Sequence, residues 1–528
     1  MTSPDITLRQ PPRKNYESDV CGSLPIHQIN QVQPYGVLLV IDRDTLAIIQ
    51  ASENTERVFG LAARELVGAL LTAHARAGGR DAGRGAMDTG GGGAAGGLIP
   101  DAALEGRSDK LPKTWIIRDK PYTTLVHLKG SYILAEIELT PAGDRSFVST
   151  FQDIRHSMAA IESAGSTAGV CAAAARELKR LSGFDKVMIY RFDEDWNGYV
   201  EAEAMEEGME SYLGFTFPAS DIPPQARKLY LTNPYRFIPD RDYKPVHLYP
   251  VINPATRTFI DLSECNLRGV APVHVEYLRN MGIVASMSTR ILDGEKLWGL
   301  VACHHRTAKD LDYELCSVFE LMSHVVSARI ASIRFKEQDA LNAGLHERYN
   351  RLIEAIYGSE ELHQSLLGTA TGVANLLSGG GAILSYRGRI YAAGDVPSRA
   401  FQEDLVLWLH TKELKRALAT DAFPTLYDRA EEQKGLASGV LVIPLNWKKD
   451  EYLIVFRPEV VREINWGGNP DERIRFEPNQ VNYHPRASFR EWRQKVSGTS
   501  LPWRPEELTI AENLRTFIHE YIHNHYLT

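Results

Sequence analysis

The sequence predicts an α+β protein built of three tandem units, each an antiparallel sheet with flanking helices. Three observations carry that prediction. Strand-like runs bounded by turn residues occur in three groups. Helical periodicity falls between and beside those groups. At 528 residues the chain is long enough for about three or four domains.

The first unit is expected at 26–150. Tyr35–Asp42 and Ala47–Ser52 read as strands around a turn at Arg43-Asp44, followed by a helical stretch, Asn54–Leu71. Residues 76–107 are rich in Gly and Ala and read as a low-complexity loop. Strands resume at Lys113–Ile117, Tyr122–Leu128 and Ser131–Leu139. The second unit is expected at 158–325. It opens with a helix, Ser166–Leu181, and strands Lys186–Phe192 and Gly198–Ala204. A proline-punctuated irregular region covers 216–270. Helix Pro272–Met281 and strands Ala285–Leu292 and Leu297–His304 close the unit.

A helix over 310–351 follows, with Leu311, Leu315, Val318, Met322, Val325, Val326, Ile330 and Ile333 at helical spacing. It is too long for one domain to cover and suits a linker or dimer seam. The third unit, 345–526, repeats the plan with helix Leu362–Leu377, four strands between Gly381 and Arg457, and a last helix Pro505–Tyr526. An arm at 458–504, rich in Trp, Arg, Gly and Pro, is far longer than an ordinary connection and reads as functional.

Composition narrows the function. A 44% hydrophobic and 24% charged chain is globular. A net charge of −8 argues against nucleic acid or an anionic membrane as partner. Val37–Ile41, the apolar run near the N-terminus, is too short to span a bilayer, and Met1–Gln10 lacks a signal-peptide pattern, so the chain reads as cytoplasmic. Five cysteines without a CxxC pair indicate neither a disulfide framework nor a cysteine-rich zinc site. Cys21 lies in a polar segment, 1–25, ahead of every clear element, where a thiol is accessible for chemistry.

The most informative segment is Phe217-Pro218-Ala219-Ser220-Asp221-Ile222-Pro223. The prolines fix φ and push their predecessors toward extended backbone, so the segment aims one carboxylate, Asp221, from an apolar wall. A carboxylate there needs a donor. Around it the sequence concentrates Tyr190, Tyr230, Arg236, Arg268, His274, Tyr277, Ser286, Ser288 and His304. Arginines and hydroxyls bind carboxylates, aromatics line a flat apolar ligand, and histidines exchange protons near neutral pH. A flat, nitrogen-bearing dicarboxylic ligand satisfies all of them.

In combination and order, these residues resemble those of a bacteriophytochrome, the biliverdin-binding photoreceptor family with PAS, GAF and PHY domains. The resemblance rests on Cys21 with Pro25-Ile26-His27, Gln33–Gly36, Phe217–Pro223, His274–Gly282, Leu297–His305 and Pro485–Phe489, and covers nearly the whole chain. It implies PAS, GAF and PHY folds for the three units, with the N-terminal segment threaded through a GAF loop as a figure-of-eight knot. It implies biliverdin IXα bound by a thioether from Cys21. Reduced-bilin phytochromes attach through the position before His274, which is Val273 here.

The resemblance also implies roles. Asp221 offers its backbone carbonyl to the pyrrole N–H groups, with Ile222 and Pro223 beside it. His274 lies against the tetrapyrrole. Arg236, Arg268, Tyr230, Ser286 and Ser288 hold the propionates. Tyr190, Phe217, Tyr277 and Met188 surround ring D, and His304 hydrogen-bonds its carbonyl. In the arm, the family's tongue, Arg486 reaches Asp221, and Trp466 and Ser488 take part in signalling. Light isomerises the bridge between rings C and D, the Asp221–Arg486 contact changes, and the tongue refolds from hairpin to helix.

Two departures stand out: Ala271 replaces a propionate-binding serine, and the tongue's aromatic-x-Glu pattern appears as Trp492-Arg493-Gln494. The resemblance further implies a homodimer through GAF and PHY helices and a downstream effector domain or response regulator. No enzyme is expected within this chain, which reads as a photosensory module. Two rivals exist. One is a GAF-type sensor of a cyclic nucleotide or haem. The other is a zinc protease, from the HExxH pattern His519-Glu520-Tyr521-Ile522-His523.

Overall fold

The structure, a computed structural model, describes residues 26–78, 97–100, 110–139, 147–472, 474–476, 483–485 and 488–526. Cys21, Arg486 and the expected threading of residues 1–25 lie outside the described residues. The chain forms an α+β fold of two compact units. The larger comprises Tyr16–Ile333 and Asn465–Trp492; the smaller includes Arg334–Ile464 and Arg493–Thr528.

The larger unit holds two sheets. In the first, strands run in the spatial order Gln31–Val32, Val246–Tyr249, Ile48–Ser52, Gly36–Asp42, Tyr132–Glu138, Lys120–Lys129, Leu111–Ile117 and Arg76–Ala77. One face packs its own core around Leu39, Ile41, Trp115 and Ile133. The other is covered by residues from 246–267, with Leu248, Ile260, Leu262 and Leu267 against Leu38, Val40 and Leu134. The irregular region expected at 216–270 therefore serves partly as a lid on the preceding domain.

The expected helix Asn54–Leu71 is broken into Glu56–Phe59 and Ala63–Leu66. Gly60 takes φ +68°, which ends the first piece. The Glu65 carboxylate then accepts the Ala62 N–H at 2.7 Å and starts the second. The glycine-rich 76–107 segment is not loop throughout. Arg76–Ala77 pairs with Trp115 and Ile116, and Leu98 and Ile99 are buried in the core. Trp115 Nε1 donates to the Leu98 carbonyl at 3.0 Å, pinning the segment's end.

A helix the sequence reading omitted, Phe147–Glu162, precedes helix Thr167–Ser182, which Ser166 caps by accepting the Gly169 N–H at 3.1 Å. The second sheet runs Tyr235–Ile238, Ala285–Asp293, Lys296–His305, Lys186–Phe192, Gly198–Met205 and Thr216–Phe217, then continues into the arm strands Arg462–Gly467 and Glu491–Val496. Side chains alternate across a strand. Val187, Ile189, Met287, Val301 and Cys303 fill the core beneath the two helices. Met188, Tyr190, Ser286, Ser288, Ala302 and His304 take the other face, where the site forms.

Helix Tyr313–Tyr357 buries Phe319, Met322, Val326 and Ile330 in the core of the larger unit, and Leu345, Leu352 and Ile356 in that of the smaller. Residues 334–341 between these stretches are exposed. Among the described residues this is the helix long and apolar enough to cross a membrane; part of its apolar surface is buried in the two cores, while Leu321, Phe335, Leu341 and Tyr357 are exposed.

In the smaller unit, strands run Arg389–Gly394, Gly381–Tyr386, Glu451–Arg457, Gly439–Asn446 and Leu418–Thr420. The expected helix Leu362–Leu377 is two pieces, Leu362–Leu366 and Val373–Leu376. The break sits at Gly372, where a Cβ would lie 2.3 Å from the Gly368 carbonyl oxygen. A further unread helix, Arg399–His410, packs on the sheet.

Candidate chromophore pocket

The open face of the second sheet and the Phe217–Pro223 segment line a cavity of about 250 Å³. Every predicted cofactor-binding residue within the described residues lines it: Met188, Tyr190, Phe217, Asp221, Ile222, Pro223, Tyr230, Arg236, Arg268, His274, Tyr277, Ser286, Ser288 and His304. Ala271, the departure from the family pattern, lines it too.

Asp221 ends a single 3-10 turn, Ala219–Asp221, with its N–H on the Pro218 carbonyl at 2.9 Å. Pro223 is extended, and Pro224 opens the helix to Thr232, a position that wastes no N–H. Two residues the sequence reading missed hold this segment. Asn197 Oδ1 accepts the Ala219 N–H at 3.2 Å. Arg227 donates to the Ile222 carbonyl at 3.0 Å while its guanidinium lies 4.4 Å from the Trp196 ring centre. Neither follows a local pattern, since their roles come from tertiary contacts. The Asp221 carboxylate accepts the Tyr277 hydroxyl at 2.9 Å.

The arginines come from two places. Arg236 sits on an edge strand opposite Ser288 and donates to the carbonyls of Asn266 and Gly269 at 3.4 and 2.9 Å. Arg268 is 8% exposed, and its Nε and Nη1 have no hydrogen-bond partner among the described residues. Burial, with repulsion from Arg236, pushes its pKa down to about 9. A buried guanidinium with unpaired N–H groups is costly, so the site suits an anionic ligand. The Tyr230 and Ser288 hydroxyls share a 2.7 Å hydrogen bond beside them.

His304 is likewise 8% exposed, and its Nδ1 has no hydrogen-bond partner among the described residues. Burial, then Lys186 and His274, press its pKa to about 3. His274 is open to the cavity yet walled by protein, and burial followed by Arg236 lowers it to about 4. Both rings are neutral near pH 7. Lys186 itself is buried, 3.5 Å from Glu203 and 3.7 Å from the Tyr212 ring centre.

The remaining wall is aromatic. Tyr190 packs edge-on to Phe192 at 5.5 Å and tilted against Phe217 at 6.1 Å. Gly198 leaves room for it: a Cβ there would fall 1.6 Å from the Tyr190 ring. From the arm, Phe489 is 5% exposed and meets Tyr277 edge-on at 5.1 Å. Trp466 is 2% exposed and pairs in parallel with Thr216. Gly467 lies against Phe217, where a Cβ would come within 2.7 Å. Ser488 is exposed and does not reach the cavity. Phe489 closes the Pro485–Phe489 motif, and the signal for it in the sequence is one aromatic residue between polar neighbours.

The HExxH residues lie on the last helix, with Tyr521 buried and both histidines exposed. Among the described residues no cluster of three or more His, Cys, Asp or Glu could hold a metal.

Family models match as PAS fold over residues 21–140, GAF domain over 167–330 and Phytochrome region over 345–526. Cyanobacterial phytochrome B of Nostoc sp. is 33% identical over 94% of the chain, which spans 65% of that relative's length. The bacteriophytochrome of Xanthomonas campestris pv. campestris is 32% identical over 95% of the chain and 78% of its own length. The crystal structure of a bacteriophytochrome from R. palustris aligns with a TM-score of 0.79 at 30% identity, covering 96% of this chain and 99% of that one. The chain belongs to the bacteriophytochrome family of light photoreceptors. Membership implies a bilin chromophore, and the buried nitrogens of Arg268 and His304 that have no partner among the described residues fit a ligand with carboxylates and a hydrogen-bonding ring.

Proposed function

We propose that the chain is the photosensory part of a red/far-red photoreceptor that holds biliverdin IXα through a thioether at Cys21. The observation that carries this reading is the pair of unsatisfied cavity groups, Arg268 and His304, on one polar and aromatic wall. When bound, the bilin supplies the red absorption and a C/D methine bridge that isomerises between Z and E.

This chain's residues do the rest. Arg268 and Arg236 bind the propionates, with Tyr230, Ser286 and Ser288 adding hydrogen bonds. His304 keeps its unpaired nitrogen for the ring D carbonyl. His274, held neutral, orients the pyrrole hydrogen bonds. Tyr190, Phe217, Tyr277 and Met188 exclude water around ring D, and Ile222 and Pro223 brace the Asp221 carbonyl. Tyr277 fixes the Asp221 carboxylate for Arg486 of the arm. Rotation at Tyr277 disturbs both Asp221 and Phe489, and the arm, now stranded around Trp466 and Gly467, refolds toward helix. Ser488 is free to form new contacts in that state. Signalling passes through helix Tyr313–Tyr357 to a cytoplasmic effector or response regulator in a homodimer. Catalysis belongs to that effector, not to this chain.

Adding biliverdin to the apoprotein tests the reading. A red-absorbing adduct that survives denaturation, and is lost in Cys21→Ser, supports it. Absence of an adduct, with haem or a cyclic nucleotide bound instead, sinks it.

A further inference from the structure

Asn266 is 6% exposed and makes more designated contacts than its place in an irregular segment requires. Its Oδ1 accepts Lys110 Nζ at 3.0 Å and Asn233 Nδ2 at 2.9 Å. Its Nδ2 donates to the Tyr235 hydroxyl at 2.6 Å. Its backbone carbonyl accepts the Tyr35 hydroxyl at 3.0 Å and Arg236 Nη1 at 3.4 Å. Lys110 and Tyr35 come from the PAS domain; Asn233, Tyr235 and Arg236 belong to the GAF domain.

The chemistry fixes the direction of each bond. An ammonium can only donate, so Lys110 settles which end of the Asn266 amide is the oxygen. That oxygen then requires Asn233 to present its own NH₂. The Asn233 Oδ1 is left as a buried acceptor with no partner among the described residues, on a residue that lines the cavity. The other end of Asn266 pins Tyr235, the residue before Arg236. Lys110 also donates to the Glu264 carbonyl at 2.5 Å and sits 3.6 Å from the buried Glu136 carboxylate, so it is itself held in place.

We propose that Asn266 is a positioning residue for the carboxylate-binding wall, through which Lys110 of the PAS domain sets Asn233, Tyr235 and the guanidinium of Arg236. The inference rests on the reading above that the arginines take the propionates. The Asn233 oxygen repels a carboxylate, so the wall directs anionic groups to Arg236 and Arg268. PAS and GAF domains thus share the task of orienting the ligand's acid groups.

The test uses the full chain, biliverdin, and biliverdin dimethyl ester, which lacks the carboxylates. Asn266→Leu is expected to slow assembly with biliverdin about tenfold, the scale of one hydrogen bond to a charged group, and to leave the ester within about twofold. Lys110→Met is expected to act in the same direction. The double variant should be no slower than Asn266→Leu alone, because the two act in series. The carboxylate stretching bands of the adduct should shift in both variants. Equal slowing of acid and ester, or no slowing of either, overturns the proposal. Should Asn266→Leu fail to fold, Lys110→Met alone decides it by the same criteria. If wild type treats acid and ester alike, the failure belongs to the propionate reading and is seen before any variant is made.

Discussion

The GAF and PHY sheets follow one plan and differ in what covers their second face. In the PHY sheet both faces are dry. Leu384, Leu441, Leu453 and Val455 pack against the terminal helices on one side. Ile383, Val442, Ile454 and Phe456 meet Phe401, Leu405, Leu409 and Phe423 on the other. In the GAF sheet the first face is equally apolar. The second carries Ser286, Ser288, His304 and neighbouring Arg236, and a cavity separates them from the helices Pro224–Thr232 and Pro272–Asn280. The lesson is that a sheet becomes a receptor by leaving one face short of apolar partners and giving it buried polar groups whose needs a ligand must meet. The PHY face is stabilised by its own side chains; the GAF face holds stability in reserve for the chromophore.

The largest expected effect breaks the filled side of this comparison. Phe423 is 1% exposed and packs near Trp408 at 5.9 Å and Tyr427 at 5.5 Å. Phe423→Ala should cost about 3–5 kcal/mol in urea unfolding followed by the PHY transition. The absorption maximum of the adduct should not move before that transition. A shifted maximum at low denaturant would show that the two faces are not independent.

On the open face the opposite pattern is expected. Arg268→Met removes a buried cation whose Nε and Nη1 have no partner among the described residues. Capture of biliverdin should weaken by about 2 kcal/mol, roughly thirtyfold, while the apoprotein melts no lower than wild type. A lower melting temperature with unchanged capture would make Arg268 structural and remove the reserve from the account.

How much of this was legible follows from range. The aimed Asp221 could be read locally, because two prolines shape the backbone around it whatever lies nearby. The strand Lys186–Phe192 could be read too, but Val187, Met188, Ile189 and Tyr190 are all apolar, so which of them face the cavity is seen only in the fold. Asn197, Arg227 and Asn266 could not be read, since each acts on residues 22, 5 and 30 or more positions away through contacts only the fold creates. Gly198 is silent in the sequence and decisive in space, as the floor for the Tyr190 ring. Some misses were avoidable. Ser398 ahead of Phe401, Leu405, Val406 and Leu409 is a capped helix signature. Gly60 and the Gly368–Gly372 pair mark where the two overlong helices break.

Titration separates the faces further. His304 has a pKa of about 3 in the folded apoprotein against an ordinary 6.5, with burial as the first cause. As pH falls, the unfolded chain takes up the proton first. The contribution of the neutral His304 ring to stability is therefore complete above about 6.5 and is lost as pH drops toward 3. Melting temperature followed over this window should fall less steeply in His304→Gln than in wild type. Parallel slopes would mean that His304 does not carry the acid sensitivity.

The smallest effect expected is at Ser288. Its hydroxyl holds Tyr230 at 2.7 Å on the same wall as Arg236, with which it is in register. Burial raises the Tyr230 pKa, so the phenol is neutral and can be either donor or acceptor in this pair. Ser288→Ala leaves the tyrosine without that partner and should cost about 1 kcal/mol of apoprotein stability. If a carboxylate takes over the freed Tyr230 hydroxyl, the adduct should recover most of that loss, whereas apoprotein cannot. The comparison is made by melting both forms of both proteins. An equal deficit in apoprotein and adduct would place Tyr230 and Ser288 with the self-satisfied groups of the filled faces, outside the ligand's reach.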